Sequence, residues 1–200
     1  IDKEYVYFSQ TVVGVLEASH FRGSYRKTEV LSIRKYYNRI EIVAENTQYY
    51  FDPESPLSRA QNANISPSIL LSLPIIAEEE DDDGQLRYLV SADAIFLNED
   101  IQQISPSPNP DYTGPRYQLG SLDSDKTKYH ALKNYPSNTD VVVDYVYHNS
   151  QPTVYGSNAV TDARNTTIRI RHSLIEMPEN NYSPRSDDFR VGYFMQSVDD

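Results

Sequence analysis

Between Thr166 and Leu174 the chain repeats with a period of two: Thr166, Ile168, Ile170 and His172 fall on one side of an extended backbone, and Thr167, Arg169, Arg171 and Ser173 on the other. Such alternation suits a half-buried strand, because successive side chains leave a strand on opposite faces. A less regular version runs from Thr139 to His148, where valine and tyrosine alternate in part with polar residues. Val30 to Tyr36 shows it again, and Ile40 to Val43 resumes it after Tyr37, Asn38 and Arg39, which predicts a β-hairpin. A further strand is expected through Thr47, Gln48, Tyr49, Tyr50 and Phe51, stopped by Pro53 and Pro56 because proline cannot donate to a ladder.

Ile69 to Ala77 is largely apolar and leads into six acids, Glu78 to Asp83, closed by Gly84 and followed by Leu86 to Val90. The pattern predicts a second hairpin with a long charged tip. The acids lack the alternate ligand spacing and terminal glutamate of an EF-hand calcium loop, so a solvated turn is expected. Ser91 to Asn98 reads as a short helix or a strand end, and the prolines at 106, 108 and 110 make an extended connection. Asp123, Ser124 and Asp125 can cap a helix over residues 124–134, which Pro136 then terminates. Phe189 to Phe194 reads as one more strand. These elements make a mainly β (α+β) fold of antiparallel hairpins in one or two sheets, with one short helix near residues 124–134 and a single domain over residues 1–200.

The apolar share, 38%, is low for a globular chain, but 17 tyrosines supply large rings with a polar edge. A formal charge of −11 leaves no basic face for phosphates, so nucleic acid is not an expected partner. The absence of cysteine removes disulfides, thiolate catalysis and Cys-ligated zinc together. No apolar run approaches the roughly 18 residues of a membrane helix, and the first residues lack the order of a signal peptide. Ile1 stands where an initiator Met would, and the chain is expected to be a piece of a longer protein.

His20, His130, His148 and His172 are the four histidines, and no two have the three-to-five spacing common in zinc sites. No HExxH helix, no G-x-S-x-G elbow, no P-loop and no dinucleotide glycine pattern occurs. With 29 acids, chance carboxylate pairs are abundant, so none is singled out for glycoside hydrolysis. No catalytic or metal-binding residue is expected in this chain. Tyr36, Tyr37, Tyr49 and Tyr50 could line a peptide or glycan groove, although cross-strand aromatic pairs that stiffen a sheet are the commoner use of such clusters.

Several segments together resemble one family: His20 to Tyr25, Glu29 to Tyr36 with Asn38 to Glu41, Asn134 to Pro136 with Asn138 to Val141, and above all His172 to Pro178 continuing to Pro184, Arg185 and Arg190 to Phe194. The family is the domain of unknown function 5117 of bacterial zinc-dependent, metzincin-like metalloproteases. Phe189 departs from the proline often found before Arg-Val-Gly-Tyr-Phe. The resemblance implies a non-catalytic accessory domain that supports or gates a peptidase domain following Asp200. It also implies zinc held by that domain and a periplasmic or extracellular location in a Gram-negative bacterium. The extended zinc motif has no match here, so no catalytic position is carried over. Arg185, Arg190, Tyr193 and Phe194, dense at the boundary, are the expected docking residues, with core filling by Val191, Tyr193 and Phe194 an equal reading of the same segment. A peptide- or glycan-binding module is the alternative function.

Overall fold

The computed structural model describes residues 3–14, 21–49, 54–56, 58, 65–105, 119–152 and 161–178. These residues form β1 (Lys3–Val13), β2 (Tyr25–Tyr36), β3 (Arg39–Ala44), β4 (Ser68–Pro74), β5 (Ala77–Glu80), β6 (Leu86–Leu89), α1 (Asp93–Phe96), β7 (Ser121–Leu122), β8 (Lys128–Asn134), β9 (Asn138–His148) and β10 (Asn165–Glu176). The main sheet runs β4-β3-β2-β1-β10-β9, and the far edge of β9 takes both β7 and β8. Every pairing is antiparallel, and β5 and β6 make a separate two-stranded sheet. Over the described residues the fold is therefore mostly β, with a curled main sheet, a small second sheet and one short helix.

Strand parity explains the core. Tyr7, Ser9 and Thr11 of β1, Ile168, Ile170 and His172 of β10, and Val141, Val143, Tyr145 and Tyr147 of β9 are all buried. In the ladders Thr11 pairs Ile170 and Ser9 pairs His172, and across β10 Ile168 pairs Tyr145 and His172 pairs Val141. These positions share one face of the sheet, because Cα partners point the same way. Leu31, Ile42, Leu71 and Leu73 extend the same cluster over β2, β3 and β4. The segment from Ser91 to Ser105, which contains α1, crosses this face as a strap and adds Phe96, Ile101 and Ile104 to the cluster.

The β2–β3 hairpin forms as expected, with Tyr36 paired to Arg39. Two expectations shift. The apolar stretch after Ser68 pairs with β3 and not with residues 86–89, so the second hairpin is built from Glu78, Glu79 and Glu80 themselves facing Leu86, Arg87 and Tyr88. Residues 47–49 are not a strand, and Tyr50 and Phe51 lie outside the described residues.

The expected helix over residues 124–134 is a strand. Asp123 O accepts the amides of Lys126 at 3.2 Å and Thr127 at 3.0 Å, so a turn begins, but Lys128 to Asn134 then pairs with β9. Almost every β8 side chain is exposed, so no apolar stripe would hold a helix here. The open edge of β9 offers a ladder instead, and this tertiary partner overrides the local preference of Lys, Ala and Leu. The helix that does form is α1, inside the segment 91–98.

Candidate functional site

The chemically capable side chains that the fold gathers lie between the sheet and the strap, around His172. Desolvation lowers this imidazole from its usual 6.5 to about 3, so it is neutral in the folded protein. Tyr145 Oη lies 2.6 Å from the carbonyl of Phe96 and 2.8 Å from His172 Nε2. A carbonyl only accepts, so the Tyr145 proton goes to Phe96 and Nε2–H must donate to the phenol oxygen. Nδ1 is then the acceptor and takes the hydroxyl proton of Tyr7 at 2.8 Å, with Gln102 Oε1 at 3.1 Å from the same hydroxyl. The direction of every bond around the ring is thus set by one backbone carbonyl. Tyr7 lies at 21° to the ring with centroids 6.0 Å apart, and Phe96 and Tyr145 tilt against it at 5.5 Å and 5.9 Å.

A second anchor stands beside the first. Glu99 Oε1 accepts the Tyr147 hydroxyl at 2.7 Å and the amides of Ile104 at 2.8 Å and Ser105 at 2.7 Å. From β2, Arg26 Nη2 donates to Ile104 O at 2.9 Å and Lys27 Nζ to Ile101 O at 3.2 Å. Neighbours on a regular strand point to opposite faces, yet both reach the strap. The β1–β2 register explains it: Ser9 pairs Lys27 and Gln10 pairs Tyr25, so Arg26 is an extra, bulged residue, and a bulge re-aims a side chain.

A family model for a domain of unknown function, DUF5117, matches residues 23–200. The chain belongs to the DUF5117 family. No curated protein and no solved structure matches it.

In this DUF5117 domain the four expected groove tyrosines do not all come into view. Tyr36 and Tyr37 meet edge to face at 4.8 Å on the β2–β3 turn, Tyr49 is exposed in the segment after β3, and Tyr50 lies outside the described residues. Arg185, Arg190, Tyr193 and Phe194 also lie outside them, as does His20. His130 Nδ1 stands 3.5 Å from Asp144, which Arg169 already holds through two hydrogen bonds of 2.6 Å and 3.1 Å. His148 Nδ1 lies 3.1 Å from Asn165 Oδ1. Among the described residues no three His, Cys, Asp or Glu side chains gather where they could hold a metal.

The interior tyrosines give a direct readout of this arrangement. Burial raises the phenols of Tyr7, Tyr145 and Tyr147 well above the usual value, with the Glu99 bond as a further cause at Tyr147. A free tyrosine ionises near pH 10. In a spectrophotometric titration these three are expected to stay protonated past that step and to ionise only as the fold is lost. A folded-state value above the unfolded one means that their contribution to stability disappears as the pH rises past about 10. Complete ionisation of all 17 tyrosines before any loss of circular dichroism would contradict the buried network.

Proposed function

We propose that this DUF5117 domain is a non-catalytic accessory domain of a secreted bacterial zinc-dependent metalloprotease, supporting or gating a peptidase domain in the same protein. One observation carries the reading. His172, Tyr7, Tyr145, Tyr147 and Glu99, the side chains best suited to acid–base work, are spent on one another and on backbone groups of the strap. They hold a packed interior in place and present no proton to a substrate. The resemblance of the His172 to Pro178 stretch to the metalloprotease-associated domain supplies the rest, and the zinc belongs to the peptidase domain. A peptide- or glycan-binding module is a second reading, favoured by the exposed Tyr36–Tyr37 pair.

The test compares cleavage of a mixed peptide library by this chain alone and by the longer protein, with zinc and after chelation. Cleavage by the longer protein alone, abolished by the chelator, is the expected outcome. Turnover by the isolated chain would overturn the accessory role.

A further inference from the structure

We propose that the end of the molecule formed by the β2–β3 turn and the β5–β6 arm is a docking surface for a cationic protein segment that also carries apolar side chains. The accessory reading expects docking through Arg185, Arg190, Tyr193 and Phe194, which lie outside the described residues. This surface is built from other residues, and the proposal does not need the partner to be a peptidase. It rests on the binding reading for its tyrosine pair alone.

The arm is unusual in what it leaves uncovered. Among the described residues β5 and β6 pair only with each other, and all of their residues but Tyr88 are exposed. A lone two-stranded hairpin is marginal in water, so this one gains from a partner. Its tether is narrow: Lys35 Nζ reaches Glu78 at 3.2 Å and the Tyr88 hydroxyl at 3.3 Å, and lies 4.5 Å above the Tyr88 ring. A backbone bond from Ile75 N to Asn38 O, 3.0 Å, joins the foot of the arm to the β2–β3 turn.

Tyr36, Tyr37, Ile76, Leu86 and Leu89, from these two linked segments, are each more than half exposed. A hollow of about 470 Å³ is lined by Ala77, Glu78, Glu79, Arg87, Tyr88 and Leu89. Large apolar groups held out on hairpins and rimmed by charge are the composition of an interface.

The charge of that rim selects the partner. Glu78 is paired with Lys35, and Asp81 with Arg87 and with the amides of Asp83 and Gln85. Glu79, Glu80, Asp82 and Asp83 enter no ion pair among the described residues. Four uncompensated carboxylates beside exposed leucines complement lysine or arginine interleaved with apolar residues, and repel an acidic partner. The turn carries a further mark. Tyr37 has φ of 52°, a left-handed conformation that a bulky side chain adopts at a cost, and it is 80% exposed, so no core packing offsets the strain.

Backbone amide NMR shifts of the labelled chain, titrated with a synthetic peptide alternating lysine and leucine, test the proposal. A glutamate–leucine counterpart and a neutral cello-oligosaccharide serve as comparison probes. The expected result is salt-sensitive binding of the lysine peptide with shifts confined to residues 35–39 and 76–90. The triple change Glu79→Lys, Asp82→Lys, Asp83→Lys and, separately, Leu89→Asn should each weaken it about tenfold, or about 1.4 kcal/mol. Tyr37→Gly should raise the thermal midpoint by roughly 2–4 °C and still weaken the peptide, a combination that a purely structural tyrosine would not give. Shifts scattered over the whole acidic surface, equal binding of the glutamate peptide, or a Tyr37→Gly variant that binds unchanged would overturn the proposal. Oligosaccharide binding at Tyr36 and Tyr37 without peptide binding would overturn it too, while leaving the binding reading standing.

Discussion

Acidification from neutral pH to about pH 4 is expected to remove roughly 3 kcal/mol of stability from this domain through His172 alone, and about 2 kcal/mol of that by pH 5. The imidazole titrates at about 3 when buried and at 6.5 when free. Between those values the unfolded chain binds a proton that the folded chain refuses. Stability is therefore full above pH 6.5, falls as the pH drops, and levels off below the folded value with a total loss of roughly 5 kcal/mol. A domain of this size rarely has more than about 5–15 kcal/mol to lose, so the effect decides whether it survives acid. Chemical denaturation of the native protein and of His172→Gln at a series of pH values measures it. Glutamine does not titrate, so the variant should be weaker at neutral pH but lack the slope between pH 6.5 and 4. Carboxylates such as Asp162, held down to about 2 by its Arg164 partner, also lose their contribution as the pH falls, but they do so equally in both proteins. Parallel pH profiles for the two would rule His172 out as the source.

The second large effect is predicted at Gly120. Its φ is +88°, and a Cβ built there would stand 2.2 Å from the carbonyl oxygen of His148 and 2.7 Å from its carbon. Both neighbours are backbone atoms of the last β9 residue, where Ser121 pairs with His148, so neither can rotate aside. Gly120→Ala must either pull β7 off β9 or bend the end of β9. With the left-handed strain added, the cost is roughly 4 kcal/mol. Gly23 provides the comparison: its φ is +90° but nothing lies within 4 Å of the place a methyl group would take, so Gly23→Ala should cost only about 1–2 kcal/mol of backbone strain. Urea midpoints of the two variants measured side by side separate steric from conformational cost. Equal losses would show that the close approach to His148 does not matter.

What the sequence disclosed and what it concealed follow from how local each signal is. The alternation from Thr166 to Leu174 put His172 on the same side as Ile168 and Ile170, and the assembled sheet buries that side. Its partners were not legible, since Tyr7 and His172 are 165 residues apart and only the β1–β10 ladder brings them together. β1 itself carries large side chains at both parities, Tyr5, Tyr7 and Val13 at one and Val6, Phe8 and Val12 at the other, so no period announced it. The strap was equally hidden, because the role of Glu99 depends on where Tyr147 and the amides of Ile104 and Ser105 end up. In β8, by contrast, a local helix signal was present and wrong, since the unsatisfied edge of β9 is a property of the assembled sheet.

The place of β1, between β2 and β10, also fixes an order of events during synthesis. β1 to β4 form one meander of neighbouring strands, β8 to β10 another, and among the described residues the only ladder joining the two is the one between β1 and β10. Each meander needs contacts between nearby parts of the chain, whereas the joining ladder closes the longest loop among the described ladders, the kind of contact whose entropic cost slows folding. A growing chain leaving the ribosome completes β1 to β4 first and then waits, with one side of β1 unpaired, until β10 has been made. During that wait the inward row of the open strand shows Ser9 and Thr11 beside Tyr7. Hydroxyls give that temporary edge less apolar surface to offer another nascent chain than a row of valines would.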